Sequence, residues 1–425
     1  MKPLADEVNT LASQCVKCAL CLPHCPTYVL TEDENESPRG RIALFQALSQ
    51  QQLPLTEKAK HHLDQCLGCR ACERVCPAHV EYGELLVTGR ELLTQIPSQT
   101  PLAKPLWTTR LLSWLATKPA LLRGLHGFLW GAETLKLRSL ARALKLTSLF
   151  GLTPLDNLLP PVAKPIHFQF QYEAIGAMRG KVMLFQGCIA SLCDQQTLAA
   201  TIFVLRHFGY QVVIPPEQNC CGAIALHAGK FDQAYQLAQQ NIAAFVHQHT
   251  NIDYVITSAT GCHAVLQEYA RHFSSQSNSK KEALTLFSSK VMDIMTFILQ
   301  CEWPETRKPQ ALDLQVMLHT PCTRRNVLKA PPYAEQLFAR IPKLTWHSFA
   351  SPDCCGAAGT YMLDHPDLAQ PLAQRLLSEL QDIQVDFIAT TNVGCALHLM
   401  TQLKNLYPNI KVGHPVTLLA RSLGF

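Results

Sequence analysis

CVKCALCLPHCP over residues 15–26 and CLGCRACERVCP over residues 66–77 repeat one spacing. Each run has three cysteines separated by two residues and a fourth after three more, directly before proline: Cys15, Cys18, Cys21 and Cys25, then Cys66, Cys69, Cys72 and Cys76. Three thiolates on one tight loop can each reach a different iron of a cubane [4Fe–4S] cluster. The fourth, before proline, is turned towards the cluster of the other run. The expected ligand sets are therefore Cys15, Cys18, Cys21 and Cys76 for one cluster, and Cys66, Cys69, Cys72 and Cys25 for the other. Zinc knuckles are also built from CxxC pairs, but four ligands close one tetrahedral ion and leave no use for a third step followed by Cys-Pro. The pattern predicts two clusters and a chain that carries electrons.

The 425 residues are too many for one ordinary domain, so two or three are expected. Hydrophobic residues make up 48% and charged ones 16%, enough apolar material for packed cores. A net charge of +5 calls for no nucleic-acid partner. Eighteen cysteines suggest a secreted disulfide protein, but the opening MKPLADEVNT has no basic region followed by an apolar one. No apolar run is long enough to span a bilayer. Reduced thiols used as metal ligands in a cytoplasm are the expectation.

Residues 1–14 read as a helix leading into the first run, and 37–41 (SPRGR) as a turn before the helical pattern Ile42, Leu44, Phe45, Leu48. Arg39 and Arg41 are either solvated or set the electrostatics at a cluster, whose potential depends on nearby charge. Residues 84–93 read as a helix closing a module over 1–100. Residues 101–175 change character. Between 101 and 150 lie Lys104, Arg110, Lys118, Arg123, Lys136, Arg138, Arg142 and Lys145 against the single acid Glu133, a net +7. Trp107, Trp114 and Trp130 sit there among leucines. Such a basic amphipathic segment either lies on an anionic membrane or serves as a helical linker docked on protein. Prolines 160, 161 and 165 end it.

From about residue 180 strands alternate with helices: strands at 181–185, 211–214 and 253–257, helices at 196–208 and 231–247, then a polar loop at 274–281. Alternation of this kind predicts parallel βαβ units. The order restarts near residue 313, and cysteine marks the repeat. Cys188, Cys220, Cys221 and Cys262 recur as Cys322, Cys354, Cys355 and Cys395, at offsets of 134, 134, 134 and 133 residues. The contexts match as well, NCCGAIALHAG against DCCGAAGTYML and ITSATGCHAV against IATTNVGCALH. Cysteines at strand ends on one edge of a parallel sheet can converge on one site. The glycine after each pair is expected to let the backbone turn closely around a cofactor. Cys193 and Cys301 have no counterpart and read as buried free thiols. The expected fold is multidomain, α+β joined to α/β: a helical dicluster module (1–100), a basic helical linker (101–175), and two repeated α/β domains with parallel sheets (176–300 and 312–425).

The repeats resemble the cysteine-rich CCG domains of heterodisulfide reductase and related oxidoreductases. Joined to a ferredoxin-type module, they are similar to the iron–sulfur subunits of bacterial glycolate oxidases, and more distantly to those of anaerobic glycerol-3-phosphate dehydrogenases. CVKCALCLPHCPTY, SPRGRI, CLGCRACERVCP, CCGAAGTYMLDHPDLA and TTNVGC carry the likeness. In heterodisulfide reductase the motif ends in CxxC and five cysteines bind each noncubane cluster. Here that last position is Val265 in one copy and His398 in the other. Each copy thus supplies four cysteines, sufficient in number for a further cluster or for zinc, and a disulfide reductase is disfavoured.

No GxGxxG follows a strand and no P-loop is present, so the chain has no visible site for a nicotinamide, a flavin or a nucleotide. Hydride chemistry must then come from elsewhere, most simply a flavin on another subunit. The resemblance implies the same: FAD-containing subunits oxidise glycolate to glyoxylate, and this subunit draws off electrons towards a membrane quinone or another carrier. D-lactate, another 2-hydroxy acid and glycerol 3-phosphate are the alternative substrates. A cytoplasmic protein, peripheral on the inner face of the membrane, is the location this implies. His227, His263, His319 and His414 lie near cysteines in sequence and read as ordinary loop residues.

Overall fold

Short apolar runs build two sheets, and the repeat is visible in their order. The computed structural model describes residues 2–425 except 103–105, 249–251, 274–277, 305–306, 332 and 382. The first sheet holds β1 (Gln171–Tyr172), β2 (Gly180–Phe185), β3 (Tyr210–Val213), β4 (Tyr254–Thr257) and β5 (Val291–Asp293) in the order β1-β3-β2-β4-β5. The second holds β6 (Leu314–His319), β7 (Leu344–Ser348), β8 (Phe387–Thr390) and β9 (Lys411–Gly413) in the order β7-β6-β8-β9. Every pairing is parallel except β1 with β3. The registers repeat too: Phe185 lies opposite Thr257, and His319 opposite Thr390.

In each sheet the chain leaves the middle strand towards one neighbour and then crosses back to the other. The crevice at the strands' carboxyl ends is the place where such sheets hold ligands. All eight cysteines of the repeat follow the carboxyl ends of β2, β3, β4, β6, β7 and β8. The largest core joins both sheets, with Val182, Leu184 and Ile256 from the first and Val316, Leu318 and Ala389 from the second. The helix Pro415–Ser422, at the end of the second half, packs on Gln195–His207 of the first.

Two local expectations are corrected. Residues 37–41 are the start of the helix Pro38–Ser49 rather than a turn before it: Ser37 Oγ caps by accepting from the Gly40 amide at 3.0 Å, and Pro38 takes the first helical position. Of the loop expected at 274–281, residues 274–277 lie outside the described residues, while 278–281 open the helix Asn278–Lys290. Leu284 and Phe287 bury one face of that helix, and this packing outweighs the polar composition of its first turn.

The amino-terminal module is helical, with Lys2–Ser13, Pro38–Ser49, Glu57–Asp64 and Tyr82–Gln95 packed through Val8, Phe45, Leu63 and Leu85. One ion-paired group sits inside it. Arg41, 1% exposed, donates Nε to the His62 carbonyl at 2.8 Å and Nη1 to Thr27 Oγ1 at 3.0 Å, and pairs with Glu36. His62 meets the other oxygen of Glu36. The segment 101–158 forms the helices Trp107–Leu115, Pro119–Thr134, Leu137–Ala143, Leu146–Leu149 and Thr153–Leu158. Among the described residues no helix is long and apolar enough to cross a membrane.

Removing one partner of a buried pair strands the other charge, at a cost of about 3–5 kcal/mol. Arg41→Met is accordingly expected to destabilise the metal-loaded protein by that order in chemical denaturation followed by far-UV circular dichroism. A loss below about 1 kcal/mol, the range of an exposed pair, would show that the group contributes little.

Candidate functional site

The first cysteine run leaves the helix Lys2–Ser13 in a loop tight enough to hold Lys17 and Ala19 at φ of 56° and 69°. Cys15, Cys18 and Cys21 line one recess together with Cys72 and Cys76 from the other run. Cys66, Cys69 and Cys72 line a second recess together with Cys25. Cys76 thus reaches the recess of the first run and Cys25 that of the second, while Cys72 borders both. Val16, Ala19, Ile42 and Val80 supply apolar wall to the first recess. Four soft donors in a mostly apolar wall suit iron in a cluster, so the residues present fit that group. Burial pushes the Cys21 thiol up to about 11 and holds Cys72 far above the usual thiol range, so without metal both keep their protons at neutral pH.

The two arginines of SPRGR divide between the recesses. Arg39 borders the first, clasping Glu34 through Nε at 2.5 Å and Nη2 at 3.1 Å and donating to the Lys17 carbonyl at 3.3 Å. Arg41 borders the second, and Thr27, which it holds, lies 3.3 Å from Cys25 Sγ. Tyr82 Oη lies 3.4 Å from Cys66 Sγ, and Arg90 Nη2 donates to the Cys66 carbonyl at 2.8 Å.

The repeat assembles two more thiol groups in the same way. Gly187, at φ 70°, turns the chain from β2 into the helix Cys188–Cys193, and Cys188 Sγ comes within 3.5 Å of Cys220 Sγ. In the second copy Cys322 Sγ lies 3.9 Å from Cys354 Sγ. Hydrogen bonding from Cys188 and Cys221 draws the Cys220 thiol well below its usual range, and Cys322 and Cys355 do the same to Cys354. Backbone amides of Gly222 and Gly356 point at those sulfurs, at 3.5 and 3.4 Å.

The glycine after each pair answers to helix packing as well as to a turn. Both have positive φ, and a Cβ on Gly356 would meet the Ala369 carbonyl oxygen at 2.5 Å. The turn at Gly356 also lies close against the helix Pro366–Leu377.

Both thiol groups open on one cavity of about 280 Å³, which reaches Gly68, Arg70 and Arg90 of the module and Leu112, Leu155 and Leu158 of the basic helices. The halves meet beside it. The Thr260 amide and Oγ1 each reach the Thr391 carbonyl at 2.9 Å, and the two hydroxyls are 2.7 Å apart. The module is tied to both halves: Arg70 to Glu268 at 2.7 Å, Asn326 Nδ2 to the Cys69 carbonyl at 2.8 Å, and Tyr361 Oη to the Gln65 carbonyl at 3.2 Å. A smaller recess is lined at once by Cys25, Cys69, Cys322 and Cys354.

Cys193 lines the large cavity, and Cys301 lies 3.6 Å from Tyr210 Oη. His227, His263 and His319 lie in helices or a strand, and His414 is the loop residue that starts a helix. His227 ends a helix and lines the cavity, His263 meets Thr257 Oγ1 at 3.2 Å, and His414 Nδ1 caps a helix by accepting from the Val416 amide. His398, at the position of the missing CxxC cysteine, reaches the Cys355 carbonyl at 2.7 Å. His319 closes β6 at 2% exposure, and the aligned repeat, which sets it against Phe185, is the signal that would have singled it out.

Residues 11–80 match the 4Fe-4S dicluster domain, and 182–267 and 316–400 each match the cysteine-rich CCG domain. The chain is 29% identical to the probable glycolate oxidase iron-sulfur subunit of Bacillus subtilis (strain 168), over 100% of this chain and 96% of the relative. It is 28% identical to the glycolate oxidase iron-sulfur subunit of Escherichia coli (strain K12), over 93% and 91%. It is 25% identical to lactate utilization protein A of Geobacillus sp. (strain WCH70), over 55% of this chain and 96% of the relative. The chain belongs to the iron–sulfur proteins in which a 4Fe-4S dicluster domain precedes two cysteine-rich CCG domains.

Proposed function

We propose that this chain is the electron-transfer subunit of a flavin-dependent glycolate dehydrogenase, with substrate oxidation on a partner flavoprotein. One observation carries the reading: two cysteine-lined recesses share Cys72 between them, and Cys69 of the second shares a recess with Cys322 and Cys354 of the repeat. In this reading Cys15, Cys18, Cys21 and Cys76 hold one cluster and Cys66, Cys69, Cys72 and Cys25 the other. Such clusters, when bound, accept and pass single electrons. The protein's own part is to exclude water, to offer thiolates, and to set charge beside them through Arg39 and Arg41. The full-length likeness to two glycolate oxidase subunits supports glycolate as the partner's substrate. Lactate is the second reading, on the partial likeness to lactate utilization protein A.

The basic helices suggest where the electrons go. Trp107, Trp114, Leu135, Leu149 and Phe150 are each about half exposed or more in a segment of net +7. Apolar side chains and cations together favour an anionic bilayer surface, on which a quinone is the acceptor within reach.

Three measurements test this. Anaerobically purified protein is expected to hold about eight irons in the module, and Cys25→Ala is expected to lose the same cluster as Cys66→Ala. If Cys25→Ala instead matched Cys15→Ala in its electron paramagnetic resonance, the exchanged ligand sets would be wrong. Glycolate is expected to bleach the cluster absorbance only when the flavoprotein partner is present, and faster than D-lactate does. Bleaching by glycolate with no partner, or by D-lactate alone with one, would sink the glycolate assignment. The chain is expected to sediment with vesicles containing anionic lipid at low salt, to be released at high salt, and to ignore neutral vesicles. Equal binding to neutral vesicles, or none to either, would leave the helices a linker.

A further inference from the structure

Among the differences between the two cysteine-rich copies, one stands just before the first cysteine of each. The strand before the first cysteine ends in Phe185 in one copy and in His319 in the other, at the same register against Thr257 and Thr390. His319 is buried, and one ring nitrogen is already committed, with Nδ1 2.9 Å from Thr390 Oγ1. Nε2 has no hydrogen-bond partner. A buried polar atom left bare costs about 1–3 kcal/mol, so it calls for a ligand.

The ligand is indicated by what surrounds it. A ring nitrogen of His319 and the sulfurs of Cys355 and Cys395 all lie within 4.8 Å of one another, and among the described residues no other three such donors pack so closely. Donors at about 2.0–2.3 Å from one tetrahedral ion sit about 3.3–3.8 Å apart, so modest side-chain adjustment would close the group. Cys354 stands next to Cys355, and Asn392 Nδ2 lies 3.4 Å from Cys395 Sγ, a donor placed outside the group to steady a thiolate. The Thr390 contact does the same for the imidazole. In the first copy Phe185 has no donor, and its nearby histidine, His263, meets Thr257 from a different element.

We propose that His319 is a metal ligand, its imidazole joining Cys355 and Cys395 around one divalent thiophilic ion, zinc, so that the second cysteine-rich site is mixed nitrogen–sulfur while the first offers sulfur alone. Binding displaces the thiol protons of Cys355 and Cys395 to solvent and leaves the imidazole neutral. The zinc has no redox chemistry, so this site is structural or electrostatic, whatever the module does. It does not rest on the electron-transfer reading.

Zinc K-edge X-ray absorption on the full chain, purified anaerobically and supplied with zinc, tests it, with zinc and iron counted in each sample. The wild type is expected to show a nitrogen at about 2.0–2.1 Å beside sulfurs at about 2.3 Å. His319→Phe, which copies the first repeat, is expected to lose the nitrogen and one zinc per chain. His319→Cys is expected to keep its zinc in an all-sulfur shell. An all-sulfur shell in the wild type, a nitrogen surviving in either variant, or a wild type with full iron and no zinc would each overturn the proposal. The iron count reports separately whether the module is folded and loaded. If the phenylalanine variant fails to fold, the wild-type spectrum and the cysteine variant decide the question.

Discussion

Four hydrogen bonds at one junction set the geometry of the carboxy-terminal three-fifths of the molecule. Thr260 bonds Thr391 through its amide and hydroxyl, their hydroxyls bond each other, and the Gly261 amide reaches Asn392 Oδ1 at 3.3 Å. Both threonines are buried, so no water competes and the bonds act at low dielectric. Each lies at the start of the helix that carries its copy's last cysteine, Cys262 or Cys395. Fixing these two helix starts against each other aims both carboxyl edges inward. The two thiol groups face one cavity, and β2 and β6 share a core.

Concentrating thiols in this way creates an electrostatic demand. Thiolates bound to metal carry charge into surroundings that penalise it, and the molecule places cations beside them: Arg41 at one recess, Arg70 and Arg90 between module and cavity, Arg325 beside Cys322. Each guanidinium is itself anchored, Arg41 by Glu36 and Arg70 by Glu73 and Glu268. Such anchoring holds a cation near a metal thiolate even before the metal arrives. Arginine suits the role because its planar fork can bind a carboxylate and a carbonyl at once.

Much of this was legible in the residues. Cysteine spacing alone set Cys76 beside the first run and Cys25 beside the second, and the 134-residue offset marked the repeat that the two sheets share. Strand ends came within a residue or so, since parallel strands buried on both faces are short apolar runs between helices. What escaped depends on partners distant in sequence. Nothing in SPRGR tells Arg39 from Arg41; burial beneath His62 and Glu36 does. The helix at 278 is set by Leu284 and Phe287 finding a core, and the polar letters before them conceal it. His319 looks like any histidine before a Thr-Pro-Cys until its counterpart is seen to be phenylalanine.

The docking of the module has a consequence for biosynthesis. Cys69 leaves the ribosome early, yet one wall of its surroundings comes from Cys322, Cys354 and Tyr361, in the last quarter of the chain. Long-range contacts of this kind form last, and amino-terminal units fold first during synthesis. The second cysteine run therefore spends much of translation open on the side that the finished protein seals. Iron and sulfide delivered in that interval meet an accessible recess. Delivered afterwards, they would have to pry the second half away.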